Sequence, residues 1–221
     1  MIRLERASKE AVRYALLKLH YAKTMCSYQV AYSVFNENIF CGVIVFGIGV
    51  NPNYATSLKC NRGEYLELVR VALNGKQTFT SQCLAIAIRL LKKENPQLKI
   101  LVSYADSAQD HIGTIYQATN WIYLGNDTCK TANFLYNGKL LHRKTLTSKY
   151  NLQAIQSVAK EIPASKKHKY VYCYDKKLLE YWVRYKKPYP KKCGSSVMGS
   201  TPDFQSGGNV QINSAAQNNV V

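Results

Sequence analysis

A strand–helix–strand succession from Tyr65 to Tyr104 constrains this chain more than any other feature. Tyr65 to Leu73 (Tyr-Leu-Glu-Leu-Val-Arg-Val-Ala-Leu) is rich in β-formers and predicts a strand. Asn74-Gly75 breaks it. Thr80-Ser81 then opens a helix, Gln82 to Glu94, that stops before Pro96. Lys99 to Tyr104 reads as a short buried strand that delivers Ala105-Asp106 at its end. Elements in this order imply an α/β sheet with helices packed on it. Strict alternation along the Tyr65–Leu73 strand puts Glu67 and Arg70 on opposite faces.

The flanking segments extend that sheet. Ser8 to His20 carries Val12, Leu16, Leu17 and Leu19 at helical spacing, with Ser8 placed to cap the helix. Gln29 to Phe35 and Ile39 to Phe46 are β-rich runs around Asn36-Glu37-Asn38, which reads as a hairpin turn. Gly47, Gly49 and Asn51-Pro52-Asn53 end the second run in a loop. After Asp106 a helical stretch, Ile112 to Thr119, precedes β-rich runs at Trp121–Leu124 and Asn133–Leu135. The expected fold is therefore α/β, a mixed central sheet flanked by helices.

Charge selects the partner. Thirty Lys and Arg against thirteen Asp and Glu leave a formal net charge of +17, which favours polyanions. Residues 163–192 concentrate it, with ten Lys and Arg, two acids, six tyrosines and Trp182. Flat aromatic faces beside cations suit nucleic acid better than lipid. Three parts are expected: residues 1–162 as the folded domain, 163–192 as a basic DNA-contacting extension packed on it, and 193–221 as a disordered tail. In that tail Asp203 is the only charge and apolar material is scarce. The candidate DNA contacts are Lys167, His168, Lys169, Lys186, Lys187, Lys191 and Lys192.

Seven scattered cysteines contain no C-x-x-C pair, so neither a zinc ribbon nor a disulfide framework is indicated. The first residues have no hydrophobic signal core and no apolar run reaches membrane-spanning length. A cytoplasmic protein without membrane association is expected, and no protein partner is evident. Phe46-Gly-Ile-Gly and Asn51-Pro-Asn-Tyr54 superficially suggest an amino-methyltransferase. They lie too close together to bracket a strand and a helix, and a glycine turn after a hairpin explains them.

The strand–loop–helix unit from Leu66 to Glu94 resembles the core of the N-acetyltransferase (GNAT) fold. There, loop amides at the helix N-terminus receive a pyrophosphate, which makes Ser81 the candidate cofactor contact. The Gln/Arg-x-x-Gly-x-Gly/Ala loop usual in that superfamily is absent.

The densest polar group lies between Ser103 and Gly125, where Asp106, His111, Tyr116 and Asn120 interrupt an apolar stretch at a strand end. Val102-Ser-Tyr-Ala-Asp and His111-Ile-Gly-Thr-Ile-Tyr-Gln-Ala-Thr-Asn-Trp-Ile-Tyr resemble the signature of the Mom family of phage DNA adenine modification proteins. Leu19-His-Tyr-Ala-Lys23, Phe40-Cys-Gly-Val-Ile-Val-Phe-Gly47, Leu66-Glu-Leu-Val-Arg-Val-Ala-Leu73 and Lys167-His-Lys-Tyr170 fit the same family in order. The resemblance covers roughly residues 15 to 192 and implies a GNAT-like transferase. Its product would be N6-carbamoylmethyladenine in double-stranded DNA, a form that blocks host restriction.

The same resemblance implicates His20, Tyr21, Arg70, Asp106 and Tyr116 as catalytic residues. Asp106 would accept from the N6 amine or act as general base, Tyr116 or Tyr21 would stack on a flipped adenine, and Arg70 would fix the amide or anion of the donor. The donor is open between an acyl-CoA-like molecule and chemistry at an iron, which imidazole, carboxylate and phenolate all suit. Two other classes stay in view: an N-acetyltransferase acting on a protein or small molecule, and a DNA-binding protein without chemistry.

Overall fold

A computed structural model describes residues 1–49, 54–128, 133–136, 138–142, 160–162 and 166–191. The tail expected to be disordered lies outside these residues, as do Asn51-Pro52-Asn53 and Lys192.

Seven strands form the main sheet: β1 (Ile2–Arg6), β2 (Val30–Asn36), β3 (Ile39–Gly47), β4 (Tyr65–Leu73), β5 (Ile100–Asp106), β6 (Ile122–Thr128) and β10 (Lys166–Cys173). Their order is β1-β2-β3-β4-β5-β10-β6. All neighbours are antiparallel except the central pair β4–β5. A second sheet has the order β8-β7-β9, from β7 (Asn133–Tyr136), β8 (Lys139–His142) and β9 (Lys160–Ile162). The expected division at residue 162 is not observed. β10 lies between β5 and β6, because its backbone satisfies the ladders of both. Residues 166–173 thus complete the main sheet instead of packing onto it.

The hairpin turn is as expected. Glu37 and Asn38 both have positive φ (50° and 67°), the conformation a tight two-residue turn demands. Ser8 caps α1 (Lys9–Tyr14), its Oγ accepting from Ala11 N at 3.1 Å. The helix gives way to a π turn over Ala15–Leu19 before His20. α3 (Thr80–Glu94) starts two residues earlier than the sequence pattern suggests: Phe79 is the N-cap residue and supplies no capping side chain. The short helices α2 (Tyr54–Ser57), α4 (Thr114–Gln117) and α5 (Lys176–Val183) are the other α-helices among the described residues.

Three apolar clusters organise these elements. Leu84, Ala87, Ile88 and Leu91 of α3 and Tyr116 of α4 pack with Leu66, Leu68, Leu101 and Ala105 on one face. On the other face, Val12, Ala15 and Leu16 cover Val43, Val45 and Ala72. Beside them, Leu58, Leu178 and Trp182 cover Ile100, Val102, Ile122 and Val171. The second face thus has two helical covers, one over β2–β4 and one over β5, β10 and β6. No helix among the described residues is long and apolar enough to cross a membrane.

β3 and β4 approach tightly at Gly42, whose φ is +129° and whose missing Cβ would stand 2.0 Å from Ala72 O. Gly42→Ala must strain the backbone or part the two strands. It is expected to cost on the order of 3 kcal/mol or more, read as a fall in the thermal or denaturant midpoint. An unchanged midpoint would refute the close approach.

Candidate active site

The site begins with a loss of register. Val45 pairs with Arg70, but the next residue, Phe46, pairs with Leu68, so Val69 is an extra residue in β4. Alternation resets across it: Leu66 and Leu68 before the bulge and Val71 and Leu73 after it share the α3 face. Tyr65 and Ala72 belong to the clusters on the opposite face, and Glu67 and Arg70 go with them. The sequence expectation that these two charges face apart is therefore corrected. Burial holds the Glu67 carboxyl above its ordinary range, and the charges of Lys167 and then Arg70 act against that rise.

Beyond the bulge the two central strands part. β4 and β5 pair only through Tyr65–Glu67 and Ile100–Val102. Ser103, fully buried, stands where they diverge, its Oγ 2.9 Å from Leu68 O and 2.9 Å from the Tyr116 hydroxyl. A carbonyl only accepts, so the serine proton goes to Leu68 O and Tyr116 completes the chain as the serine's other partner. This ties α4, on one face, to the gap between the strands. Tyr116 is 7% exposed, packed against Trp121 and Tyr170, and burial pushes its phenol up to about 12. It has no free face for a base.

Tyr21 does. It is 52% exposed, with its ring 4.3 Å from that of His20 and 5.7 Å, edge-on, from that of His111. Burial and then the charge of Asp106 raise its phenol pKa. His20, ending the π turn, is 7% exposed and accepts from Ala22 N at Nδ1 (3.1 Å). Burial, followed by the positive charges of Arg70 and His111, lowers its pKa to about 4. The imidazole is therefore neutral near pH 7, with its other nitrogen carrying the proton.

Arg70 donates from Nη1 to Val69 O at 2.8 Å, while its Nε is buried with no hydrogen-bond partner among the described residues. An unsatisfied buried guanidinium nitrogen is costly and suits an anionic or carbonyl ligand. Asp106, at the end of β5, accepts from Ala108 N at 3.0 Å and starts the turn Ser107–Gln109. His20, Tyr21, Arg70 and Asp106 thus lie within reach of one another's charges on the face of the two helical covers, and Tyr116 stands behind them on the α3 face. Sequence reasoning missed Glu67 and Cys26 as members, and marked His111 only as part of the polar group after β5. Cys26 senses Arg70 and Glu67, and burial raises its thiol pKa. Only the bulge brings Glu67 in.

Ser81 lies apart from this set. With Phe79, Gln82, Arg89, Asn120 and Tyr172 it lines a cavity of about 560 Å³ between the first turns of α3 and the turn after α4. Among the described residues no group of three or more His, Cys, Asp and Glu is placed to hold a metal ion.

Of the expected DNA contacts, Lys167 lies opposite Asp106 in the β10–β5 ladder. Lys169 Nζ is 5.2 Å from the Tyr54 ring centroid. His168 is turned to the other face of the strand, its Nδ1 2.8 Å from the Tyr123 hydroxyl. Lys186 Nζ lies over the Tyr189 ring at 5.6 Å. Lys187 folds its side chain over Gly125, and Lys191 is exposed.

The model of the Mom protein family matches residues 1–191. The methylcarbamoylase mom of Escherichia phage Mu is 26% identical over 153 residues, 66% of this chain and 62% of that protein. The matched region thus spans less than two thirds of the relative. Among solved structures, a Bacillus subtilis acetyltransferase in complex with CoA is 15% identical with a TM-score of 0.48, over 78% of this chain and 99% of that one. An IAA acetyltransferase from Bacillus cereus is 14% identical with a TM-score of 0.45, over 77% and 98%.

The buried neutral His20 makes stability depend on pH. Its folded-state pKa lies below the ordinary 6.5, so the unfolded chain takes up the proton first. The stabilisation is full above about 6.5 and is lost as pH falls towards about 4. His20→Asn is expected to remove on the order of 2 kcal/mol of that pH dependence, read from denaturation midpoints at pH 7 and pH 4.5. Parallel curves for both chains would show that His20 titrates normally.

Proposed function

The chain belongs to the Mom protein family, and from that premise we propose that it transfers a carbamoylmethyl group to the N6 amine of adenine in double-stranded DNA, shielding that DNA from host restriction. The observation that carries the reading is the convergence of His20, Tyr21, Arg70, Asp106 and Tyr116 where β4 and β5 part.

Adenine N6 is a weak nucleophile because its lone pair is delocalised into the ring, so the site must hold the base, take a proton and stabilise the donor. A base within a duplex must also leave the stack. Tyr21, exposed and flanked by His20 and His111, is the face on which the flipped adenine stacks. Asp106 receives the N6 amine on the carboxylate oxygen not used by Ala108 N. Arg70 binds the carbonyl or anion of the donor through its unpaired Nε. Tyr116 acts from behind, through Ser103, as a fixed polar wall.

The residues present suit one kind of donor better than the other. The cavity at Ser81 would take the polar tail of an acyl-CoA-like molecule, with the helix N-terminus as its anion site. An iron, the other donor chemistry that imidazole, carboxylate and phenolate would suit, finds no such fit: among the described residues no group of three or more His, Cys, Asp and Glu is placed to hold it.

DNA reaches the site over its basic surroundings. Lys167 and Lys169 share the face of the site, and Lys186, Lys187 and Lys191 extend the positive charge beyond it. Lys192 continues the same run. His168, held by Tyr123, orders the strand more than it touches phosphate.

DNA from cells producing the chain is expected to contain a nucleoside heavier than deoxyadenosine by one carbamoylmethyl group replacing a hydrogen, detected by mass analysis. Asp106→Asn and Arg70→Gln should each lower its yield by about 10²-fold or more with the fold retained. N6-methyladenine alone, or acetylated protein with unmodified DNA, would refute the reading. Separately, Lys167→Gln with Lys169→Gln should weaken duplex binding and reduce its salt slope by about 1 for each phosphate no longer neutralised. An unchanged slope would remove these two lysines from the interface.

A further inference from the structure

Resting on that reading, we propose that Glu67, not Asp106, is the catalytic proton acceptor: the β4 bulge presents its carboxylate to the adenine amine in the gap between β4 and β5. Three observations carry this. First, the extra residue Val69 brings Glu67 to the side of Arg70, where regular alternation would have turned it away. Second, a surface is shaped to receive it. Gly49 has φ +70°, and a Cβ there would stand 2.3 Å from Glu67 Oε2, so the loop after β3 keeps the room that the carboxylate occupies. Third, the two carboxylates differ in their commitments. Asp106 already accepts a backbone N–H as the head of a turn, which commits one of its carboxylate oxygens to holding that turn. Among the described residues, Glu67 forms no hydrogen bond or ion pair, and its cationic neighbours Lys167 and Arg70 act on it only as charges.

The chemistry follows from those surroundings. The N6 lone pair forms a bond to the methylene carbon of a carbamoylmethyl donor as the bond from that carbon to its leaving group breaks, and the leaving group departs with the electron pair. The nitrogen, cationic once bonded, gives its proton to Glu67. Burial raises the basicity of the Glu67 carboxylate, and the positive charges of Lys167 and Arg70 act against that rise. Asp106 is then a positioning residue that holds the amine's second hydrogen, and Arg70 anchors the donor.

The test measures the modified nucleoside in DNA from cells producing the full chain, for wild type, Glu67→Gln and Glu67→Asp. Melting temperature and duplex affinity of each purified chain are measured alongside. Glu67→Gln is expected to lose about 10²–10⁴-fold in product, with melting temperature and DNA affinity close to wild type. Glu67→Asp keeps a carboxylate, withdrawn by one methylene, and should recover part of the yield. Wild-type yield from Glu67→Gln overturns the proposal. So does an equal loss in both variants that follows their melting temperatures, because that is the mark of a packing role. Absence of the modified nucleoside from wild-type DNA overturns the parent reading, and Glu67's role with it.

Discussion

One inserted residue decides what this site contains. A β-strand presents successive side chains to opposite faces, so a strand with polar groups three apart has them back to back. Val69 breaks that rule by standing unpaired against β3. Upstream of it, Glu67 shares a face with Tyr65; downstream, Arg70 shares the same face with Ala72. Without the extra residue, one of the two charges would be driven into the apolar cluster under α3, at a cost of several kcal/mol for an unpaired ion. The bulge is thus tied to packing as firmly as to chemistry.

The parting of β4 and β5 makes room for the rest. Parallel pairing ends after three residues on each strand, and a buried serine occupies the fork. Ser103 satisfies the Leu68 carbonyl that the lost ladder would otherwise leave open, and it engages Tyr116 at the same time. The two helical covers on the opposite face leave their seam over the same gap, with His20 and Tyr21 at the end of one cover and Tyr54 at the start of the other. The site is therefore a place where three kinds of continuity stop together: strand pairing, side-chain alternation and helical cover.

Much of the scaffold was legible in the sequence. Runs rich in β-formers marked β2, β3, β4 and β5 within a residue or two, and the strong apolar stripe marked α3. β10 was not recognised, because its lysines and tyrosines read as a nucleic-acid surface. Yet His168, Tyr170, Tyr172 and Tyr174 alternate with Lys167, Lys169, Val171 and Cys173, which is a strand's period. Of the site, His20, Tyr21, Arg70, Asp106 and Tyr116 came from family resemblance, since no spacing links residues so far apart. Glu67 was visible but misplaced: a bulge depends on how a neighbouring strand pairs, and no local pattern in β4 announces it. Tyr116 and Tyr21 were interchangeable in the sequence, and burial alone separates them.

The position of β10 carries a consequence for how the chain comes to be. Among the described residues of the main sheet β6 pairs only with β10, and the outer edge of β5 is likewise closed by it. Ribosomes deliver residues 100–128 well before 166–173, so for an interval the nascent polypeptide exposes the unpaired edge of β5 while β6 has no partner in this sheet. Tyr170 and Val171, both fully buried, arrive with the last strand and seal the apolar clusters on the two faces at once. Maturation of the sheet is thus gated by translation of its C-terminal third: a truncated product ending before Lys166 is an open β-edge, not a smaller version of the same domain.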